Sequence, residues 1–285
     1  MQRPSLKFLS LTFAVSWSCY LAAAVLHHES ELRALRIVLL YAGTFAPAMV
    51  ALLMTHSAAP AGALGTMLGR VFRGDVPARW YVFAIAYFPA IKLVAAVIYR
   101  IALGSWPPFG TTPWYIVAAA VAVSTPVQAG EEIGWRGFAL PALAAQFGLS
   151  RASLLLGMIW AVWHLPLFFI AGVDNYGQSF TMFFLAVTAL SVSMSWLYVR
   201  TNGSLLLVML MHSAIDQTFL LIPSGNPMTT NPFAFSASLV GWLTVLLLWV
   251  SAVFLLVRIE RKKAAMRTPF LMVHLGVARP AARTT

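Results

Sequence analysis

The stretch FSASLVGWLTVLLLWVSAVFLLV, residues 235–257, contains no charged side chain, and RIERKK follows at 258–263. A membrane-crossing helix needs roughly 20 consecutive apolar residues. This stretch is long enough, and it ends on a basic cluster. The rest of the chain reads the same way. Of its 285 residues 60% are hydrophobic and 9% are charged, and the mean hydropathy is +0.82. Soluble domains carry about 25% charged residues. A water-soluble fold cannot bury that much apolar surface, so most of this chain faces lipid or other membrane helices. The expected fold class is all-α: a polytopic membrane bundle of about eight helices, counted at roughly 20 residues per span.

The spans fall at 8–26, 36–55, 79–103, 112–130, 151–171, 179–199, 203–222 and 235–257. Short-loop Lys and Arg set orientation, because cytoplasmic loops carry the excess. One side receives Arg3 and Lys7, then Arg70, Arg73 and Arg79, then Arg136 and Arg151, then Arg200, then the tail. Seven of the 19 basic residues lie at or after Arg258, opposed only by Glu260. The other side receives Arg33 and Arg36, balanced by Glu29 and Glu31, and later Arg100. Both termini are therefore expected in the cytoplasm, with the protein in the plasma or inner membrane. The net charge of +11 is read as topology and lipid contact rather than nucleic-acid binding, since no basic segment is large enough to fold alone.

The chain divides into N-terminal spans and an interfacial segment (1–78), a core (79–222), and a last span with a basic tail (223–285). The apolar run from Phe8 is too long for a signal-peptide core and reads as the first span. ALGTMLGRVFR, 63–73, is either an amphipathic interfacial helix or a plain basic loop. Pro223 to Pro232 reads as an outer loop. Cys19 is the single cysteine, so no internal disulfide can form.

Ionisable groups within or beside spans are expensive, and they usually face a bundle interior or a wet cavity. Four stretches hold them: EEIGWR with Glu131, Glu132 and Arg136; WAVWHLP with His164; HSAID with His212 and Asp216; and Lys92. Glu132 and Arg136 are four apart, share a helix face and can pair. Glu131 sits about 100° round the helix and is left for chemistry. His212 and Asp216 are also four apart, and a carboxylate beside an imidazole fixes its tautomer or stabilises its cation. Lys92 either snorkels to the interface or neutralises a carboxylate nearby. One shared polar pocket explains the four stretches together.

These motifs resemble those of the CAAX prenyl protease and bacteriocin-processing family (CPBP, or Abi), the intramembrane glutamic endopeptidases. EEIGWR fits EExxxR; WAVWH fits an aromatic residue followed four later by His; HSAID fits His followed four later by Asn or Asp. The resemblance implies a hydrophilic cavity open toward the cytoplasmic side and cleavage of peptide bonds near the membrane. It implies that Glu131 and His164 activate water, that His212 and Asp216 stabilise the oxyanion, and that Glu132 and Arg136 brace the site. The chemistry is coherent, since peptide hydrolysis needs a base for water and a donor for the oxyanion.

Two positions depart from the family pattern. Trp160 stands where Phe is common, which reads as a harmless change of shape. Asp216 stands where Asn is common, and an ionised carboxylate cannot donate to an oxyanion. Asp216 must therefore be protonated, orient His212, or bind metal. Glu131, His164 and His212 would form a zinc set with an open position, although no HExxH motif is present; the preferred reading requires no cofactor. Rival functions are a non-catalytic membrane scaffold or immunity protein, and a proton-coupled transporter. The compact, alanine-rich chain looks bacterial, where prenylated substrates are not expected. A leader peptide, a pheromone precursor or a membrane-protein tail would fit instead.

Overall fold

A computed structural model describes residues 3–26, 29–222 and 228–265; the remainder of the basic tail and part of the outer loop after Ile222 lie outside the described residues. The described residues form helices and no strands. The chain runs α1 (Arg3–Val25), α2 (Arg33–Ala58), α3 (Ala63–Val71), α4 (Ala78–Leu103), α5 (Trp114–Ser124), α6 (Ala129–Glu132), α7 (Leu140–Phe147), α8 (Leu149–Trp163), α9 (Phe180–Arg200), α10 (Leu205–Gln217) and α11 (Leu239–Ala265).

Six of the described helices are long and apolar enough to cross a membrane; they lie within 4–25, 30–58, 78–103, 149–169, 180–200 and 239–259. The two other expected spans differ. The one at 203–222 is a shorter apolar helix, Leu205–Leu220. The one at 112–130 stops being α-helical at Ser124. There Pro126 removes a backbone donor, and the chain tightens into a 3₁₀ turn at Thr125–Gln128. Hydroxyls add bonds to the carbonyls just before this break. Ser124 donates to the Ala120 carbonyl at 2.7 Å, and Thr125 and Ser213 of α10 donate to that of Val121 at 2.6 and 2.8 Å. After α6 the helix widens into a π turn at Ile133–Ala139 before regaining α geometry in α7. Such π segments are frequent at functional sites.

Local chemistry sets the other breaks. Gly148, at φ 77°, separates α7 from α8, and Gly104, at φ 74°, ends α4. Ser179 and Ser204 cap α9 and α10 by accepting from the backbone N–H of Met182 and Leu207. The segment at 63–71 is a helix, with Arg70 buried and donating to the Tyr198 hydroxyl at 2.9 Å.

The outer faces are apolar. Leu21, Val38, Val82, Leu246 and Val250 are all exposed, as lipid-facing positions should be. α9 is the central helix: 67% of its apolar stretch is buried, against 22% for α4. Small residues let helices approach closely. A Cβ on Gly157 would meet the Thr188 Cα of α9 at 2.7 Å, and one on Gly134 would meet the Pro47 carbonyl carbon of α2 at 2.6 Å. The second contact presses the π turn against α2 and fixes the stretch that carries the two glutamates.

Candidate active site

The polar groups gather where the irregular stretch 125–139 faces α8 and α10. Glu132 and Arg136 are both fully buried, and Arg136 Nη1 donates to Glu132 Oε1 and Oε2 at 2.8 and 3.0 Å. The same Oε1 lies 2.8 Å from His212 Nδ1. A carboxylate of this kind can only accept, so Nδ1 carries the proton. Glu132 therefore joins the π turn to α10. The sequence reading placed Asp216 beside His212 and did not foresee Glu132 as its hydrogen-bond partner. Those two are near each other, with His212 Nε2 3.8 Å from Asp216 Oδ2, which is beyond hydrogen-bond length. Asp216 accepts from Gln128 Nε2 at 2.7 Å, and its side chain is 43% exposed. Gln128–Asp216 and Glu132–His212 thus form two cross-helix bonds in opposite chain order, each partner four residues from the next. Arg136, counted above among the basic loop residues, is instead an internal cation. Its other contacts are the Met194 sulfur at 3.4 Å from Nη2 and the face of Trp160, 4.4 Å from Cζ to ring centroid.

Trp160 touches Glu131 and both histidines of the site. Its indole N–H donates to Glu131 Oε2 at 2.7 Å. Its backbone carbonyl lies 2.8 Å from His164 Nδ1. Its ring meets the His212 ring edge-on, with centroids 5.1 Å apart. The reading of Trp160 as a change of shape alone is therefore corrected: Phe has no N–H to offer Glu131. Because a carbonyl only accepts, His164 Nδ1 must be its donor, and the neutral ring then presents Nε2 as an acceptor. His164 sits at the C-terminal end of α8, where Pro166 follows and the chain turns into a 3₁₀ segment. Trp163 and Phe183 hold its ring by edge contacts.

Glu131, His164, His212 and Asp216 all line one cavity of about 1050 Å³. Lys92 also lines it, buried, with Nζ 5.6 Å from the Phe88 ring centroid; it does not snorkel outward. Tyr20 of α1 and Thr44 of α2 complete the wall beside Glu131, so the N-terminal helices contribute to the site. Gln128 was missed from sequence. Its signal was an amide one turn before Glu132 in an otherwise apolar run.

Glu131, His164 and His212, the zinc set kept as an alternative to the preferred metal-free reading, are not placed to share one ion. Among the described residues no three His, Cys, Asp or Glu side chains are positioned to share an ion. Both imidazole Nδ1 atoms are engaged with protein acceptors, and Trp160 occupies Glu131 Oε2. What the arrangement offers is a carboxylate, an imidazole acceptor and a second imidazole around a shared space large enough for a peptide.

Comparison with known proteins agrees in position. Residues 108–218, which hold all three motifs, match the family model described as type II CAAX prenyl endopeptidase Rce1-like. The chain is also similar to CAAX prenyl protease 2 of Methanococcus maripaludis, 26% identical over 230 residues, covering 75% of this chain and 82% of that protein.

Proposed function

We propose, from the match of residues 108–218 to the type II CAAX prenyl endopeptidase Rce1-like model and the likeness to a CAAX prenyl protease 2, that this multi-pass membrane protein is an endopeptidase using water activated by Glu131 and His164. A peptide carbonyl entering the cavity meets water held between the Glu131 carboxylate and His164 Nε2. Glu131 takes a proton from that water as its oxygen bonds to the carbonyl carbon. The carbonyl electron pair moves onto oxygen, and His212, with a proton on each ring nitrogen, donates Nε2–H to that oxyanion. Collapse of the intermediate breaks the C–N bond, and the proton passes from Glu131 to the leaving amine. Two carboxylates and a guanidinium hold the donor in place: Glu132 fixes His212 Nδ1, Arg136 offsets Glu132, and Asp216, anchored by Gln128, flanks Nε2. Asp216 is a positioning residue here, which removes the difficulty of a carboxylate facing an oxyanion.

The observation that carries this reading is the placement of Trp160, bonded to Glu131 and to His164 and packed on His212 within one cavity. The site needs no metal on this reading, because Glu131 and His164 themselves activate the water.

The test uses purified protein in detergent with a peptide library and mass-spectrometric readout. Wild type is expected to cleave, and Glu131→Gln and His164→Ala to lose about 10²–10⁴-fold in rate while eluting and melting like wild type. Activity should survive chelation. Cleavage retained by both variants would overturn the catalytic assignment, and stoichiometric zinc lost together with activity would overturn the metal-free one.

A further inference from the structure

The cavity mouth and the basic end of the bundle lie at opposite ends of the helices. α1, α4, α8 and α10 start at one end, and α2, α9 and α11 finish there. Hydrogen bonds tie that end together: Ser204 Oγ to the Arg73 carbonyl at 2.6 Å, Arg73 to the Asn202 carbonyl, and Gln146 Nε2 to Ser5 Oγ at 2.9 Å. It carries Lys7, Arg70, Arg73, Arg79, Arg151, Arg200 and Arg258, with Asp75 and, in the last turns of α11, Glu260 as the acids among the described residues. The other end carries Glu29, Glu31 and Asp174 alongside Arg33, Arg36 and Arg100, and the charges balance. That end too is tied, by Arg36 Nη2 to the Ala171 carbonyl at 2.5 Å and by the Gly110 N–H to the Leu221 carbonyl at 3.1 Å.

The cavity rim belongs to the balanced end. Asp174, Tyr176, Gln178, Phe219 and Met228 line it from the connections there, and Gly241 lines it from the first turn of α11. Among the described residues, no part of the connections at the basic end lines it. A cytoplasmic basic end and a cytoplasmic cavity mouth, both expected from sequence, therefore cannot hold together.

We infer that the mouth opens on the extracytoplasmic side, so that the site receives a peptide segment presented outside the cytoplasm: an exported peptide, or the outer segment of a membrane protein. The excess of Lys and Arg in short loops is the determinant that orients a polytopic chain, and here it lies wholly at the closed end. The choice of a peptide substrate rests on the function proposed above; the direction of the mouth does not. A substrate confined to the cytoplasm would have to cross the tightly packed basic half to reach Glu131, whereas an outer segment enters past Asp174 and Tyr176 directly.

Cysteine labelling in intact cells tests this. In a Cys19→Ser background, Asp174→Cys and Tyr176→Cys report on the mouth and Ala61→Cys on the basic end; all three side chains are exposed. With a membrane-impermeant maleimide, the mouth cysteines are expected to label in intact cells as fully as after permeabilisation. Ala61→Cys is expected to label only after permeabilisation. The reverse pattern, labelling of Ala61→Cys in intact cells, or mouth positions that react only after permeabilisation or not at all would overturn the inference. Labelling is read beside peptide cleavage by wild type and by Glu131→Gln, which keeps orientation separate from catalysis: outward labelling of a wild type that does not cleave leaves the inference standing while the proposed function falls, and inward labelling with cleavage that Glu131→Gln loses sinks the inference alone.

Discussion

Replacing Glu132 with Gln should damage the fold, whereas the same exchange one residue earlier should damage the chemistry. Glu132 is fully buried and accepts from Arg136 and from His212. Glu132→Gln preserves shape but removes the charge that offsets Arg136, and it turns an amide toward groups that can only donate. Breaking a buried pair by removing one partner costs about 3–5 kcal/mol. At about 2 °C per kcal/mol for a chain of this size, the apparent melting temperature should fall by ~6–10 °C. Glu131 accepts one bond, from Trp160, and a Gln oxygen can accept the same bond. Glu131→Gln should therefore hold stability within about 1 kcal/mol while losing cleavage. Both variants and wild type would be purified in one detergent and compared by thermal unfolding followed through tryptophan fluorescence, alongside peptide cleavage. Glu132→Gln combined with Arg136→Met should regain part of the lost stability, since the stranded cation is gone. A Glu132→Gln protein that melts with wild type, or a Glu131→Gln protein that melts early, would refute the division between bracing and chemistry.

Trp160→Phe removes a hydrogen bond to a carboxylate, worth about 1.5–3 kcal/mol; kcat/KM should drop about 10- to 100-fold, and an unchanged value would mean that Glu131 is held by other means. Gly134→Ala forces a Cβ against the Pro47 backbone; it should destabilise by about 1–3 kcal/mol, read as a lower melting temperature. Asp216→Asn keeps an oxygen for Gln128 and should cleave within a few-fold of wild type, whereas Asp216→Leu should lose most of the rate with KM little changed; equal activity in both variants would show that Asp216 does not position His212.

Composition and local spacing made the membrane bundle and the Glu132–Arg136 contact legible. Both depend on properties of a single helix: apolar length in one case, a four-residue interval in the other. The cross-helix bonds were not legible in the same way. Whether His212 Nδ1 meets Glu132 or Asp216 depends on how α10 is rotated against 125–139, and that rotation is set by the 3₁₀ and π segments around Pro126 and Gly134. No periodicity reveals a π turn in advance. Charge counting placed Arg136 in a loop because a lone Arg after an apolar run looks like a flank; only the buried carboxylate beside it explains its position inside. Trp160 was read for volume, and the N–H that distinguishes it from Phe acquires meaning only once Glu131 lies 2.7 Å away.

The irregular helix and the site explain each other. In a bilayer, backbone that departs from α geometry is tolerated where protein covers it or where it lines a cavity. The stretch 125–139 meets both conditions. α2 packs on one side, where Gly130 and Gly134 admit Phe45 and Pro47. α10 packs on another, where Ser213 supplies a hydroxyl to the Val121 carbonyl. A regular α-helix here would rotate the downstream residues away from their present partners. Ser213 follows His212 directly, so its contact with the Val121 carbonyl, which also keeps the Thr125 N–H, helps set the depth at which the imidazole meets Glu132. Restoring the helix with Pro126→Ala should therefore leave the protein folded and inserted but shift the His212–Glu132 register, lowering kcat more than it raises KM. If that variant cleaves at the wild-type rate, the break at Pro126 has no part in assembling the site.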